Sequence, residues 1–165
     1  MHIFLTGELQ IGKSTALQRF LKETNVCADG FITEFDSQGE NRSLYLKRFD
    51  TETARTPQRL VAKMTSAGTE IYTDVFDTFG TGCLAAAGKR RLIIMDELGK
   101  FEESCLLFTD AVTSRLNGSI PIAGVVKKRE SPFLDMVREH PKVEVIIVTE
   151  ENRNGIPKLL AEKLL

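Results

Sequence analysis

Apolar residues in this chain fall into short runs that alternate with stretches of helical periodicity. The first run, Ile3 to Leu5, is followed by Lys13 to Glu23, in which apolar residues recur three and four positions apart. Arg91 to Met95 is the run most typical of a buried parallel strand. Ile120 to Val126 and Val143 to Val148 are two further β-branched runs, each followed by a helical pattern. The order strand, then helix, therefore repeats along the chain.

This alternation predicts an α/β fold in which a mainly parallel sheet lies between two layers of helices. Two segments rich in aromatic and aliphatic residues, Gly30 to Phe35 and Ser43 to Phe49, predict an added antiparallel β-hairpin with a long connection. Pro57 to Ser66 has helical spacing, and Asp74 to Ala87 predicts a helix interrupted by two glycines.

Length and charge restrict the class of protein. A chain of 165 residues fits one domain, taken here as residues 1–165. Its 22 Lys and Arg balance 23 Asp and Glu, so the charge gives no support for a nucleic-acid partner. The apolar run after Met1 is too short for a signal peptide or a membrane span, so we expect a cytoplasmic protein without a membrane partner. Two histidines and three separated cysteines give no pattern for a zinc site or a Ser/His/Asp triad.

The segment between the first strand and the first helix has the GxxxxGK[ST] pattern of a phosphate-binding loop. Its residues are Gly7, Glu8, Leu9, Gln10, Ile11, Gly12, Lys13 and Ser14. The glycines let backbone N–H groups close around the β-phosphate at the positive end of the helix. We expect Lys13 to neutralise phosphate oxygens, Ser14 to ligate Mg²⁺ and Thr15 to cap the helix or contact the α-phosphate. The loop therefore predicts binding of a nucleoside triphosphate, such as ATP or GTP, together with Mg²⁺.

Two acidic residues, Asp96 and Glu97, come directly after the apolar run that ends at Met95. Asp96 occupies the place of the second NTPase carboxylate, Walker B, which holds Mg²⁺ through water. Glu97 can project toward the γ-phosphate, where a carboxylate orients and deprotonates an attacking water. The sequence therefore favours hydrolysis of the triphosphate to a diphosphate and phosphate, with Lys13 and Glu97 as catalytic residues.

Three other interpretations share this phosphate loop. Asp96 to Gly99 also matches the DxxG switch of GTPases, but the sequence has no NKxD pattern to read guanine. A small-molecule or nucleoside kinase would need an acceptor site and arginines in a lid. The candidate arginines are Arg42, Arg55, Arg59, Arg129 and Arg153. A nucleotide-dependent switch with negligible turnover also fits the loop, so the acceptor and the preferred nucleotide stay open.

Four segments, in order, resemble a family of small P-loop nucleoside-triphosphatases that includes the human cancer-related nucleoside-triphosphatase and relatives from thermophilic bacteria and archaea. The segments are residues 2–7, 29–34, 95–102 and 148–153. The third, MDELGKFE, is similar to the family's DEIGKME, and the fourth, VTEENR, to its VTxENR.

This resemblance implies a RecA-like core, Mg²⁺ as cofactor, slow hydrolysis of several nucleoside triphosphates and Glu97 as the residue that activates water. It also implies that Asn152 and Arg153 lie near the nucleotide. The chain departs from the family pattern at residues 42–45 and 67–74, and these differences bear on nucleotide preference and turnover.

Overall fold

The computed structural model describes residues 1–49, 55–87, 91–99 and 101–165. Lys100, which belongs to the third of the four resembling segments, lies outside these ranges. Within them the strands are β1 (His2–Thr6), β2 (Ala28–Gln38), β3 (Asn41–Arg48), β4 (Leu60–Thr65), β5 (Gly68–Ile71), β6 (Leu92–Leu98), β7 (Ile122–Val126) and β8 (Val143–Ile147). The α-helices are α1 (Lys13–Thr24), α2 (Thr81–Ala86), α3 (Leu106–Asn117), α4 (Pro132–Glu139) and α5 (Ile156–Leu164).

All of these strands belong to one sheet with the order β5-β4-β3-β2-β6-β7-β1-β8. The strands from β2 to β8 in this order run parallel, and β3, β4 and β5 continue the sheet in antiparallel pairs. The predicted α/β fold, with its mainly parallel sheet and antiparallel addition, is confirmed. Strand β7 separates β1, which leads into the phosphate loop, from β6, which carries the acidic residues.

Helices cover both faces of the sheet because the side chains of each central strand alternate in direction. Ile3 and Leu5 pack with Phe20 of α1 and Leu160 of α5 in one buried cluster. Phe4, between them, belongs to the cluster on the opposite face, where α2, α3 and α4 pack. The sheet is therefore the middle of three layers.

The helix predicted over Pro57 to Ser66 is wrong. A short 3₁₀ turn, Pro57–Arg59, leads directly into β4, whose residue Ala62 pairs with Leu44 of β3. The side chains of Val61 and Ala62 are fully buried and belong to the same hydrophobic cluster as Leu44. Pairing with a neighbouring strand thus overrides a local pattern that fits a helix equally well.

The long connection predicted within the hairpin is also wrong, because β2 and β3 remain paired as far as Gln38 and Asn41. The turn between them contains Gly39, which has a φ of +60°. The helix predicted for Asp74 to Ala87 agrees better with the structure, in which a π-helical turn, Phe76–Gly80, continues into α2.

Strand β2 joins the two parts of the sheet. Its last pair with β6 is Ile32 with Asp96, and β2 then continues to Gln38. The antiparallel addition therefore extends past the carboxyl end of the parallel strands, the end at which ligands bind in open α/β sheets. The close approach of β2 to β6 requires Gly30, because a Cβ there would lie 2.1 Å from the carbonyl oxygen of Ile94.

Candidate active site

The loop from Gly7 to Ser14 turns tightly between β1 and α1. Gly7 has a φ of +140° and Gly12 a φ of +105°, and Gln10 also has a positive φ, of 60°. A Cβ at Gly7 would lie 2.7 Å from the carbonyl oxygen of Val148, so that only glycine fits between β1 and the end of β8. The first turn of α1 contains no acidic residue, which leaves the positive end of the helix open to an anion.

Lys13 is buried, and its ammonium lies at the centre of this loop. Its Nζ atom donates hydrogen bonds to the carbonyl oxygens of Gly7 at 3.0 Å and Glu8 at 2.7 Å. The cation is therefore held inside the curve of the loop, at the place where the P-loop pattern predicts the β- and γ-phosphates.

Ser14 and Asp96 are in direct contact although they lie 82 residues apart in the chain. Ser14 Oγ donates a hydrogen bond of 2.9 Å to Asp96 Oδ1. Asp96 is 5% exposed. Burial, helped by the nearby charge of Glu97, raises the pKa of Asp96 to about 6, against the opposing effects of Ser14 and Lys13. A cation at this point would favour the ionised form of the carboxylate.

The donor set formed by Ser14 and Asp96 fits Mg²⁺. Mg²⁺ prefers hard oxygen ligands, keeps several waters and takes others from substrate phosphates, so that one or two protein ligands suffice. Among the residues that the structure describes, no group of three or more His, Cys, Asp or Glu side chains could hold a metal ion.

Glu97 lies at a bulge in the sheet, beside the phosphate loop. Asp96 and Leu98 pair with the consecutive residues Val125 and Val126 of β7, so Glu97 is the extra residue on β6. A bulge redirects the side chain of the extra residue. Glu97 Oε1 forms an ion pair of 2.9 Å with Nζ of Lys127, which follows β7 directly. The strand predicted to end at Met95 thus continues to Leu98 and carries both acidic residues.

A cleft of about 420 Å³ separates the phosphate loop from the segment after β7. Three consecutive cations of that segment, Lys127, Lys128 and Arg129, line it together with Lys13 and Glu97. Lys128 also forms a 2.7 Å ion pair with Glu8 of the loop. From the sequence, Arg129 was named as a candidate, but Lys127 and Lys128 were not identified. Their signal was a basic tripeptide at the end of a predicted strand, which topology brings next to β1.

The backbone of this basic segment is fixed by its neighbours. Lys127 N donates to the carbonyl oxygen of Leu98 at 3.0 Å. From α4, Arg138 donates to the carbonyl oxygens of Lys127 and Arg129 while it forms an ion pair of 2.6 Å with Asp135. The side chains of the three cations therefore extend from a rigid support.

Asn152 and Arg153 lie in the turn between β8 and α5. The side chain of Asn152 accepts a hydrogen bond from Thr149 N at 2.9 Å and donates one to the carbonyl oxygen of Ile147 at 2.8 Å, so its amide builds the turn itself. Arg153 reaches the phosphate loop, since a Cβ at Gly12 would lie 4.0 Å from its Cδ.

The remaining predicted residues lie on the loop or on the first turn of α1. Glu8, Leu9 and Gln10 are exposed, and Leu9 is the most exposed of the large apolar residues, at 84%. Ile11 packs against the core beneath α1, and Thr15 is exposed on the first turn of that helix.

Three of the five candidate lid arginines have partners on the antiparallel addition or next to it. Arg55 forms ion pairs with Glu34 and Asp36. The guanidinium groups of Arg42 and Arg59 stack on the rings of Phe35 and Phe79, respectively. Only Arg129 and Arg153 are placed beside the phosphate loop by the contacts given above.

The strand order, the glycine-bounded loop and the Ser14–Asp96 contact define a P-loop NTPase. The model of the NTPase family matches residues 2–161. The chain therefore belongs to the NTPase family and is an enzyme of that class.

Among curated proteins, the chain is similar to nucleoside-triphosphatase THEP1 of Natranaerobius thermophilus, with 26% identity over 99% of this chain and 96% of that protein. It is 30% identical to the cancer-related nucleoside-triphosphatase of Homo sapiens, over 94% of this chain and 92% of the human protein.

Two solved structures have a similar fold. The crystal structure of THEP1 from Aquifex aeolicus superposes with a TM-score of 0.78 at 22% identity, over 99% of both chains. The solution structure of a human cancer-related nucleoside triphosphatase gives a TM-score of 0.68 at 26% identity, over 97% of this chain and 95% of the human chain. No helix within the described ranges is both long and apolar enough to cross a membrane.

Proposed function

We propose that this protein is a Mg²⁺-dependent nucleoside-triphosphate phosphohydrolase of broad nucleotide specificity. The observation that carries the proposal is the convergence of Lys13, Ser14, Asp96 and Glu97 at the carboxyl end of β1 and β6. Lys13 is held within the loop, Ser14 bonds to Asp96 at 2.9 Å, and Glu97 opens on the same cleft.

Ser14 and Asp96 are the residues that would hold Mg²⁺, which, when bound, neutralises charge on the β- and γ-phosphate oxygens. The loop N–H groups and Lys13 bind the phosphates and stabilise the charge that develops on them. Glu97 orients a water in line with the γ-phosphate and accepts its proton. The water oxygen bonds to phosphorus, the bond to the bridging oxygen breaks, and the diphosphate leaves with the electron pair.

Broad specificity is supported by the surroundings of Arg153. The amide of Asn152 is committed to the backbone of its own turn. Arg153 lies beside Gly12 and carries a planar guanidinium that can stack on any base. We therefore infer that Arg153 contacts the base in a way that does not depend on the base's hydrogen-bonding pattern. Asn152 stabilises the turn that holds Arg153 in place.

Phosphate release from ATP, GTP, CTP and UTP, with Mg²⁺ or with EDTA, tests this proposal. The wild type is expected to hydrolyse all four nucleotides only with Mg²⁺. Lys13→Ala is expected to abolish activity mainly through weaker nucleotide binding, and Glu97→Gln to abolish turnover while nucleotide still binds. Full activity of Glu97→Gln would contradict the role of this residue. Labelling of an added hydroxylic acceptor, instead of phosphate release, would establish a kinase, and binding without turnover would establish a switch.

A further inference from the structure

The carboxyl group of Glu102 is buried beside the proposed catalytic glutamate and takes no part in the hydrolysis described above. Glu102 is 2% exposed. Its Oε2 atom is fully buried and has no hydrogen-bond partner among the residues that the structure describes. Buried polar atoms without a partner are rare, and each calls for a physical explanation.

Gly99 places this oxygen next to the side chain of Lys127. A Cβ built on Gly99 would lie 3.6 Å from Glu102 Oε2, 3.3 Å from Lys127 Cδ and 3.7 Å from Lys127 Cε. The stem of Lys127 and the free oxygen of Glu102 therefore border the same small space above Gly99. The absence of a side chain at Gly99 leaves this space open to the lysine.

Lys127 thus lies near two carboxyl groups, those of Glu97 and Glu102. Its ammonium lies 2.9 Å from Glu97 Oε1, and its backbone is fixed by Leu98 and Arg138. A lysine side chain has a flexible stem, so rotation near its end can move the ammonium while the backbone stays in place. Burial raises the pKa of Glu102 to about 7, as expected for a carboxyl group whose free oxygen has no cation on it in this arrangement.

We propose that Glu102 is a positioning residue for hydrolysis, which receives the Lys127 ammonium on Oε2 when Glu97 releases it to bind the attacking water. In the arrangement seen here, Lys127 occupies the oxygen of Glu97 that a water would need. The water held between Glu97 and the γ-phosphate competes for that oxygen, so nucleotide binding favours the second arrangement. Glu102 then keeps the ammonium away from Glu97, and its partnerless oxygen is the acceptor of that state. This inference rests on the proposed hydrolysis.

A double-mutant cycle on Glu102 and Lys127 tests the inference through kcat and KM for ATP. Glu102→Gln keeps the shape of the side chain and removes its charge. It is expected to lower kcat about tenfold with little change in KM, because Lys127 then remains on Glu97. Lys127→Met is expected to give a kcat equal to or above that of the wild type, since Glu97 is then free. Adding Glu102→Gln to Lys127→Met is expected to have no further effect. Glu103→Gln, at the exposed neighbouring position, is the matched control and is expected to match the wild type.

The contrary results are distinct. An equal loss of kcat from Glu102→Gln in both backgrounds would mean that Glu102 does not act through Lys127, and would overturn the inference. A kcat for Lys127→Met as low as that of Glu97→Gln would overturn it as well, and this single variant decides the matter if Glu102→Gln does not fold. If the wild type released no phosphate from any nucleotide, the proposed function would fail together with the inference. If the wild type releases phosphate but the effects of the two substitutions on kcat simply add, the inference about Glu102 fails while the proposed function stands.

Discussion

Ser14 on α1 and Asp96 on β6 are joined by a hydrogen bond of 2.9 Å, although β7 separates β6 from β1, the strand that leads into α1. The hydroxyl is the hydrogen-bonding partner of a carboxylate that is almost completely buried. The contact thus fixes the distance between the two proposed ligands of Mg²⁺ before the ion binds. Such preorganisation reduces the cost of ordering the ligands around the ion.

Replacement of Ser14 by alanine removes one proposed metal ligand and leaves Asp96 without its partner. We expect Ser14→Ala to raise the Mg²⁺ concentration for half-maximal phosphate release about tenfold or more. Ser14→Thr keeps the hydroxyl and satisfies the P-loop pattern, so it should behave like the wild type. A Mg²⁺ titration of phosphate release measures both variants, and equal curves for alanine and threonine would count against serine as a ligand.

A methyl group at Gly7 is expected to damage both the loop and the fold. Its φ of +140° disfavours any other residue, and the new Cβ would lie 2.7 Å from the carbonyl oxygen of Val148. Gly7→Ala should lower the free energy of unfolding by about 1–3 kcal/mol and weaken nucleotide binding. Urea denaturation and a fluorescent-nucleotide titration measure the two effects.

Gly155→Ala is the control for this substitution. Gly155 has a φ of −87°, and its Cβ would meet the nearest atom at the ordinary contact distance of 3.5 Å. The variant should therefore keep the stability and the binding of the wild type. If both alanine variants had the same free energy of unfolding and the same nucleotide affinity, the backbone geometry at Gly7 would not require glycine.

Removal of the Arg153 side chain should affect all nucleotides to a similar extent. If the guanidinium stacks on the base, Arg153→Ala is expected to raise KM about threefold to tenfold for each of ATP, GTP, CTP and UTP. Arg19→Ala, which removes an exposed arginine on the outer part of α1, is the control. A rise in KM confined to one nucleotide would instead indicate that Arg153 reads the identity of the base.

The free energy of unfolding is expected to depend on pH through Glu102. Burial raises the pKa of this carboxyl group from 4.5 to about 7. The folded state therefore binds the proton more tightly than the unfolded state. The associated stability is complete below about pH 4.5 and is lost as the pH rises through 7, with a total change of about 3 kcal/mol.

Urea denaturation of the wild type and of Glu102→Gln from pH 4.5 to pH 8 measures this effect. The difference in unfolding free energy between the two proteins should change in favour of the variant as the pH rises. Taking the difference removes the contributions of other titrating groups, Asp96 among them. Glu103→Gln should track the wild type throughout, and a constant difference for Glu102→Gln would contradict the expected shift.

The central strands could be predicted from the sequence because local and global demands coincide there. The side chains of Ile3 and Phe4 face opposite layers, yet both are apolar, and this continuous apolar pattern is typical of a parallel strand buried on two sides. The phosphate loop was found for a similar reason, since its backbone geometry requires glycine at two fixed positions.

The predictions that were wrong or missing concern residues whose structure or role depends on contacts between distant segments of the chain. Leu60 to Met64 has apolar residues that fit either a helix or a strand, and only the pairing of Ala62 with Leu44 decides between them. Lys127 is likewise ordinary in sequence, because its significance comes from Glu97, which lies on the neighbouring strand. Single-sequence patterns contain no information about which strands become neighbours.

The antiparallel strands are attached to the rest of the sheet through β2 alone, at the side of β6 that faces away from β1. Lengthening or shortening β3, β4 or β5 therefore leaves the spacing between Ser14 and Asp96 unchanged. Evolution can therefore remodel these three strands while the residues of the phosphate loop and of β6 keep their spacing. We expect differences in chain length among such enzymes to accumulate at this edge of the sheet, where insertions and deletions least disturb the phosphate-binding residues.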